Sequence, residues 1–346
     1  MKSTMFAACL AAAPLLVAAS QATAAEANCD GIDRPIVLAG LDWDSNSLQN
    51  GIIGFILEHG YGCEIDQIPG STIPLLNGMI RGDIDITMEM WIPNVAEAWG
   101  KAVADGDVAA VGISYPDATQ AWYVPKYLVD GDNAPAPDLK SVSDLPKYAE
   151  LFEDAEEPDK GRFYNCILGW GCEVMNSKKL IAYDLSENYT NFRPGTGGAL
   201  AAAIESAILR ERPIVFYYWS PTWVMGKVGE QVVQLEEPAY NDAAWKKLSD
   251  IDLDDVEPGM EATAWPLTEV SIAVNSEFKG QAPTIVELLG KYGLTAAKLS
   301  EGLAHMQDED ASADEAAIWW MQNTDEWKAW LSDEAAERVS AALASS

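Results

Sequence analysis

The sequence predicts an α/β protein built as two similar halves. Three observations carry this. Strand and helix patterns alternate in the order βαβαβ twice over, once between residues 36 and 91 and again between 162 and 219. The chain has 346 residues, and single hydrophobic cores stop growing near ~250–300 residues. Tryptophans recur at matching places in the two patterns: 48 positions separate Trp43 from Trp91, and 49 separate Trp170 from Trp219.

In the first half, "IVLAGLDW" reads as a strand. "SNSLQNGIIGFILEHG" has capping residues in front, helical apolar spacing and a glycine stop. "CEIDQI" is a second strand, "STIPLLNGMIRG" a short helix and "DIDITMEMW" a third strand. Strands joined by helices pair in parallel. In the second half, "RFYNCIL" reads as a strand, "EVMNSKKLIAYDL" as a helix and "ENYTNFR" as a strand. "GALAAAIESAILRER" is a strong helix, and "PIVFYYW" is a strand rich in β-branched and aromatic residues.

Residues 1–25 read as a secretory signal peptide: Lys2, an apolar run too short to span a bilayer, then small residues ending near Ala24 and Ala25. The expectation is an exported chain, periplasmic in a bacterium with two membranes. The formal net charge is −32, from 54 acidic and 22 Lys and Arg residues. Such a surface repels nucleic acid and suits high salt, where self-repulsion is screened. Past the leader the cysteines are Cys29, Cys63, Cys166 and Cys172. Four cysteines in an oxidising compartment imply two disulfides with three possible pairings. Cys166–Cys172 is the natural local pair, which leaves Cys29–Cys63. The spacings fit no zinc pattern, and the histidines are only His59 and His305, so no metal and no cofactor are expected.

Ligands of open α/β sheets bind outside the carboxyl ends of the strands. Trp43, Trp91, Trp170 and Trp219 all fall at such ends, two per half. Aromatic faces attract cations, and a quaternary ammonium has no N–H to donate. A cage of such faces therefore holds it where hydrogen bonds do not, at ~0.5–2 kcal/mol per face. In "CILGWGC" a small disulfide ring would stiffen the loop that presents Trp170. The amides of Gly171 and Cys172 open the next helix, expected near Glu173, and a helix N-terminus binds anionic groups.

"NCILGWGCEV", "IVFYYWSPTWV" and "MEMWIPN" resemble the substrate-binding proteins of glycine betaine and proline betaine ABC importers, the OpuAC-type family, and the likeness covers nearly the whole mature chain. The resemblance implies a two-lobed periplasmic binding protein of type II-like fold, closing on a ligand between lobes. It implies a box of Trp91, Trp170 and Trp219 around a methylated nitrogen, amides of Gly171 and Cys172 on a carboxylate, and a Cys166–Cys172 bond. Two departures matter. Betaine-binding members carry a histidine four residues after the first box tryptophan, where this chain has Val95. "LDWDSN" is similar to a choline-binding branch, which adds Trp43 as a fourth wall and Asp44 or Asp42 as a nearby carboxylate. Both shift the expected ligand toward one with little anionic character. Choline and trimethylamine N-oxide fit, as do a betaine, carnitine or dimethylsulfoniopropionate. Glu89 alternates with Trp91 and is expected either on the same side or in a solvated or core-edge place.

The expected organisation is lobe one over 30–120 plus 270–346 and lobe two over 121–269, with the hinge at the crossovers "AWYVP" and "AWPLTEV". The expected partners are the methylated amine and a membrane permease, with the protein itself a monomer and not an enzyme. An enzyme of quaternary amines would need a base in the cleft, with Asp44 or Glu89 as the only suggestion. "RPGTGG" at 193–198 precedes a helix and reads as a turn in preference to an anion cradle, and "DWDSNSLQNGII" lacks the sixth-position glycine and closing glutamate of a calcium loop. No G-x-S-x-G marks a serine hydrolase.

Overall fold

The computed structural model describes residues 29–346, so the leader expected over 1–25 lies outside the described residues. The first half runs β1 (Ile36–Leu41), α1 (Asp44–Tyr61), β2 (Ile65–Gly70), α2 (Thr72–Arg81), β3 (Ile86–Met90) and α3 (Ala96–Asp105). Strand β1 pairs in parallel with β2 on one side and β3 on the other, as the alternating pattern requires. Helix α1 packs Leu48, Ile52, Ile53, Ile56 and Leu57 against the sheet, all fully buried. Its ends differ in detail from the sequence reading. Trp43 takes the N-cap position without a side-chain cap, and the helix stops at the left-handed Gly62 (φ 71°), not at Gly60.

The long strand β4 (Val108–Pro125) links the halves. It is followed by the short α4 (Lys126–Val129), β5 (Gly161–Tyr164), α5 (Gly171–Ala182), β6 (Tyr189–Phe192), α6 (Gly197–Leu209) and β7 (Val215–Ser220). Then come α7 (Trp223–Val228), β8 (Val232–Gln234), α8 (Asp242–Asp250) and β9 (Thr268–Asn275). Helices α9 (Ser276–Gln281), α10 (Pro283–Lys291), α11 (Ala296–Asp308), α12 (Ala313–Gln322) and α13 (Asp333–Leu343) close the chain. Two of the second half's elements shift. Strand β5 ends at Tyr164, so "NCIL" is loop, and α5 starts at Gly171, two residues before the expected Glu173.

The strands form one path, β2-β1-β3-β9-β4-β7-β5-β6, with β8 also on β4. Strand β4 carries the path from one half to the other. Val108 to Ala118 pair with β9, and Thr119 to Tyr123 pair with β7. The expected second unit is present as parallel β5–β6 and β5–β7 pairs. The architecture is thus the expected α/β fold of two sheet halves flanked by helices. Both expected disulfides are formed. Cys29–Cys63 closes 34 residues around β1 and α1, and Cys166–Cys172 closes a six-residue step in front of α5. Trp320, Trp327 and Trp330 are buried packing residues of the C-terminal helices.

Candidate ligand-binding site

Four tryptophans arrive at one place from four separate strand ends. Trp43 follows β1, Trp91 follows β3, Trp170 caps α5 after the disulfide loop, and Trp219 lies near the end of β7. With Thr72, Asn94, Gly171, Cys172 and Tyr217 they line one cavity. Trp43 meets Trp170 at a ring separation of 5.5 Å and 81°, and Trp170 meets Trp219 at 5.2 Å and 87°. Adjacent walls at right angles make the corner of a box.

Three of the four walls are held by an indole N–H. Trp170 donates to Oδ1 of Asp42 at 2.6 Å, a bond between the two halves. Trp43 and Trp91 both donate to Oε2 of Glu89, at 2.8 and 3.0 Å. Glu89 is 1% exposed and stands behind these two walls without lining the cavity, which overturns the solvated or core-edge expectation. Burial pushes its carboxyl above the usual range, while the bonds from Trp43, Trp91 and Tyr115 pull it down.

The disulfide loop crosses between the halves. The carbonyl of Gly169 (φ 93°) accepts the amide of Ile73 at 3.1 Å, at the start of α2. Gly171 packs so closely on Asn94 and Val95 that a Cβ there would lie 2.7 Å from the Asn94 carbonyl. Trp170 is 3% exposed, so it is enclosed between the two halves and not displayed to solvent. The glycines of "RPGTGG" have a related use. Trp170 lies against Gly197, where a Cβ would come 3.1 Å from the indole, and Thr196 caps α6 by accepting from the amide of Ala199.

The remaining expected residue, Asp44, is not in this cavity. It lines a neighbouring one, which is also lined by Asp42, Ser45, Gly198, Tyr218 and Trp223 and shares Trp43, Trp170 and Trp219 as its partition. There Asp44 accepts the indole N–H of Trp223 at 2.6 Å. Burial raises its carboxyl, against the lowering effect of that bond. Sequence reasoning missed Thr72, Asn94 and Tyr217. Tyr217 was within reach, since it shares a strand face with Trp219 two residues on. The Tyr217 hydroxyl donates to Gln120 at 2.6 Å, and the same Gln120 oxygen takes the Asn94 amide at 2.9 Å. Among the described residues no group of three or more His, Cys, Asp or Glu is placed to hold a metal, and the calcium-like stretch is the start of α1.

The sequence profile of the family described as "Substrate binding domain of ABC-type glycine betaine transport system" matches residues 34–323. The chain belongs to this OpuAC family. Membership makes it a substrate-binding protein of an ABC-type quaternary amine transport system and not an enzyme, as the sequence reading expected. Among curated relatives, the glycine betaine/proline betaine-binding periplasmic protein of Escherichia coli (strain K12) is 27% identical over 253 residues, 72% of each chain. The glycine betaine-binding periplasmic protein OusX of Dickeya dadantii is 25% identical over 253 residues, 72% of this chain and 71% of that one. Two solved structures share the fold. An ABC-transporter choline binding protein in complex with choline has a TM-score of 0.69 at 16% identity, covering 91% of this chain and 99% of that one. Lactococcal OpuAC, closed and complexed with glycine betaine, has a TM-score of 0.65 at 19% identity, covering 87% and 100%. The OpuAC fold is two-lobed, in keeping with the two halves of this sheet.

Proposed function

We propose that this OpuAC protein captures a small methylated amine in the cavity between Trp43, Trp91, Trp170 and Trp219 and hands it to a membrane permease. The observation that carries the reading is the right-angled corner of Trp43, Trp170 and Trp219, which lines one cavity together with Trp91. A trimethylated cation fits such a corner because each methyl-bearing side meets an aromatic face. The amides of Gly171 and Cys172 sit in the first turn of α5, where backbone N–H groups have no partner within the helix, and they suit an anionic end of the ligand. Asp44, behind the partition, acts on the ligand only through Trp223 and the closed arrangement.

The proposed ligand class is glycine betaine, choline or trimethylamine N-oxide. Relatives named for glycine betaine and proline betaine and a fold neighbour complexed with choline support that class. Carnitine, or the sulfonium analogue dimethylsulfoniopropionate, is the alternative to it. Val95, buried against Gly171 at the position where the resemblance implies histidine, favours the members with little anionic character.

The proposed lobes are 30–120 plus 270–346 and 121–269. Support comes from β4, which exchanges β9 for β7 between Ala118 and Thr119. A periplasmic location is supported by the curated relatives, and the protein is proposed to act as a monomer. Calorimetric titration with glycine betaine, choline, trimethylamine N-oxide and dimethylsulfoniopropionate tests the reading. Micromolar or tighter binding of one is expected, and no binding of any would overturn it.

A further inference from the structure

Glu89 is a buried carboxylate with four donors. Oε2 takes the indole N–H groups of Trp43 and Trp91 and the hydroxyl of Tyr115 at 3.0 Å, and Oε1 takes the amide of Gln49 at 2.7 Å. The direction of the two indole bonds is fixed by chemistry. An indole nitrogen only donates. The Gln49 amide nitrogen faces Glu89, while its oxygen takes the hydroxyls of Ser114 and of Tyr292, the latter at 3.1 Å. Two of the four partners, the indoles, offer protons and cannot receive one, which is the surrounding of an ionised carboxylate. Yet the ion pairs among the described residues leave Glu89 out. A buried charge without an opposite charge is costly.

We infer that the counter-ion of Glu89 is the ligand itself, so that Glu89 makes the cage read positive charge in preference to trimethyl shape. The inference rests on the cage reading and adds a specificity determinant to it. The carboxylate stands directly behind two walls, with its hydrogen bonds at the indole nitrogens. An anion accepting an indole N–H drives electron density onto the ring, which strengthens the face that a cation meets. Its own field, in a site of low effective dielectric, adds attraction that a neutral ligand does not feel. Glu89 does not touch the cavity, so it acts through Trp43 and Trp91 and does not serve as a base toward bound ligand.

Carbon isosteres separate charge from shape. Choline is compared with 3,3-dimethylbutanol, and glycine betaine with 3,3-dimethylbutanoate, by calorimetry on the whole chain. The wild type is expected to favour at least one charged member over its isostere by at least ~100-fold. In Glu89→Gln that ratio should fall at least ~10-fold, through loss of the charged ligand alone. Glu89→Asp keeps the charge and should keep the ratio, whatever happens to absolute affinity. A Glu89→Gln ratio equal to the wild type's overturns the inference, because a purely positioning role weakens both members alike. Should Glu89→Gln not fold, the wild-type ratio decides: a value near one overturns the inference, and a large one with retention in Glu89→Asp supports it. Absence of wild-type binding to any methylated cation instead defeats the cage reading itself.

Discussion

Asp44 and Trp223 are 179 positions apart, and the Asp44 carboxylate accepts the Trp223 indole N–H at 2.6 Å. The bond joins the first residue of α1 to the first residue of α7, one from each half of the sheet. It therefore exists only when the halves are together. Trp223→Phe keeps the ring and removes the donor. A hydrogen bond to a charged group contributes about 1.5–3 kcal/mol, so ligand affinity should weaken about tenfold, chiefly through faster release in stopped-flow measurements. An unchanged release rate would show that this bond does not hold the halves closed.

Trp170 touches groups from both halves: Asp42 and Trp43 on one side, Gly197 and Trp219 on the other. Trp170→Ala should cost at least ~100-fold in ligand affinity. The unliganded protein should lose less than the about 3–5 kcal/mol of a core tryptophan, because half of its packing depends on closure. Denaturant melts beside the titrations check both numbers.

The two disulfides should separate stability from binding. Replacing Cys29 and Cys63 by serine releases a 34-residue loop remote from the cavity, and about 3–4 kcal/mol of stability should go with it while ligand affinity stays within twofold. Replacing Cys166 and Cys172 opens the loop that carries Gly169 and Trp170. There the loss of stability should be smaller, about 2 kcal/mol, and the loss of affinity the larger effect.

Asp154 should carry a pH-dependent share of the stability. It is buried, takes the Arg162 guanidinium at 2.5 Å, the Glu156 amide at 2.8 Å and the Thr190 hydroxyl, and the Arg162 bond above all holds its carboxyl well below the usual range. A depressed carboxylate contributes stability that is complete above its unfolded value near ~3.9 and fades as pH falls toward the folded one. Asp154→Asn should therefore cost about 3 kcal/mol at pH 7, with a deficit that shrinks below about pH 4. Urea melts across that pH range give the curve, and a pH-independent deficit would refute the assignment.

The fold and the four walls were legible because both rest on short-range patterns. Strand and helix periodicity placed β1 to β3 and β5 to β7, and the strand ends placed Trp43, Trp91, Trp170 and Trp219. Tyr217 follows from the two-residue period of β7. Asn94 lies in the short 3-10 turn Ile92–Val95, where no periodicity marks an inward side chain. The two Trp-x-Pro motifs look alike in sequence but differ in space. Pro93 lies in that 3-10 turn, while Pro221 follows a cis peptide. Pairings across the halves, such as Asp42 with Trp170 or Asp44 with Trp223, depend on how two separately folded sheets meet, and no local spacing encodes that. Glu89 was visible as a residue in phase with Trp91, but its four donors come from β1's end, α1, β3's end and β4, and only the assembled chain brings them together.

Gly171 meets the other half as bare backbone, and a Cβ on it would lie 2.7 Å from the Asn94 carbonyl. The seam is therefore machined to the thickness of a hydrogen atom. A single methyl at this position is a shim: it cannot be swung aside, because what it meets is main chain. The gauge of the cavity is thus set at its rim as well as by the four large rings inside it. A lineage that widened the rim by one carbon would stop the jaws short, and would have to look for a bulkier cargo to fill the gap.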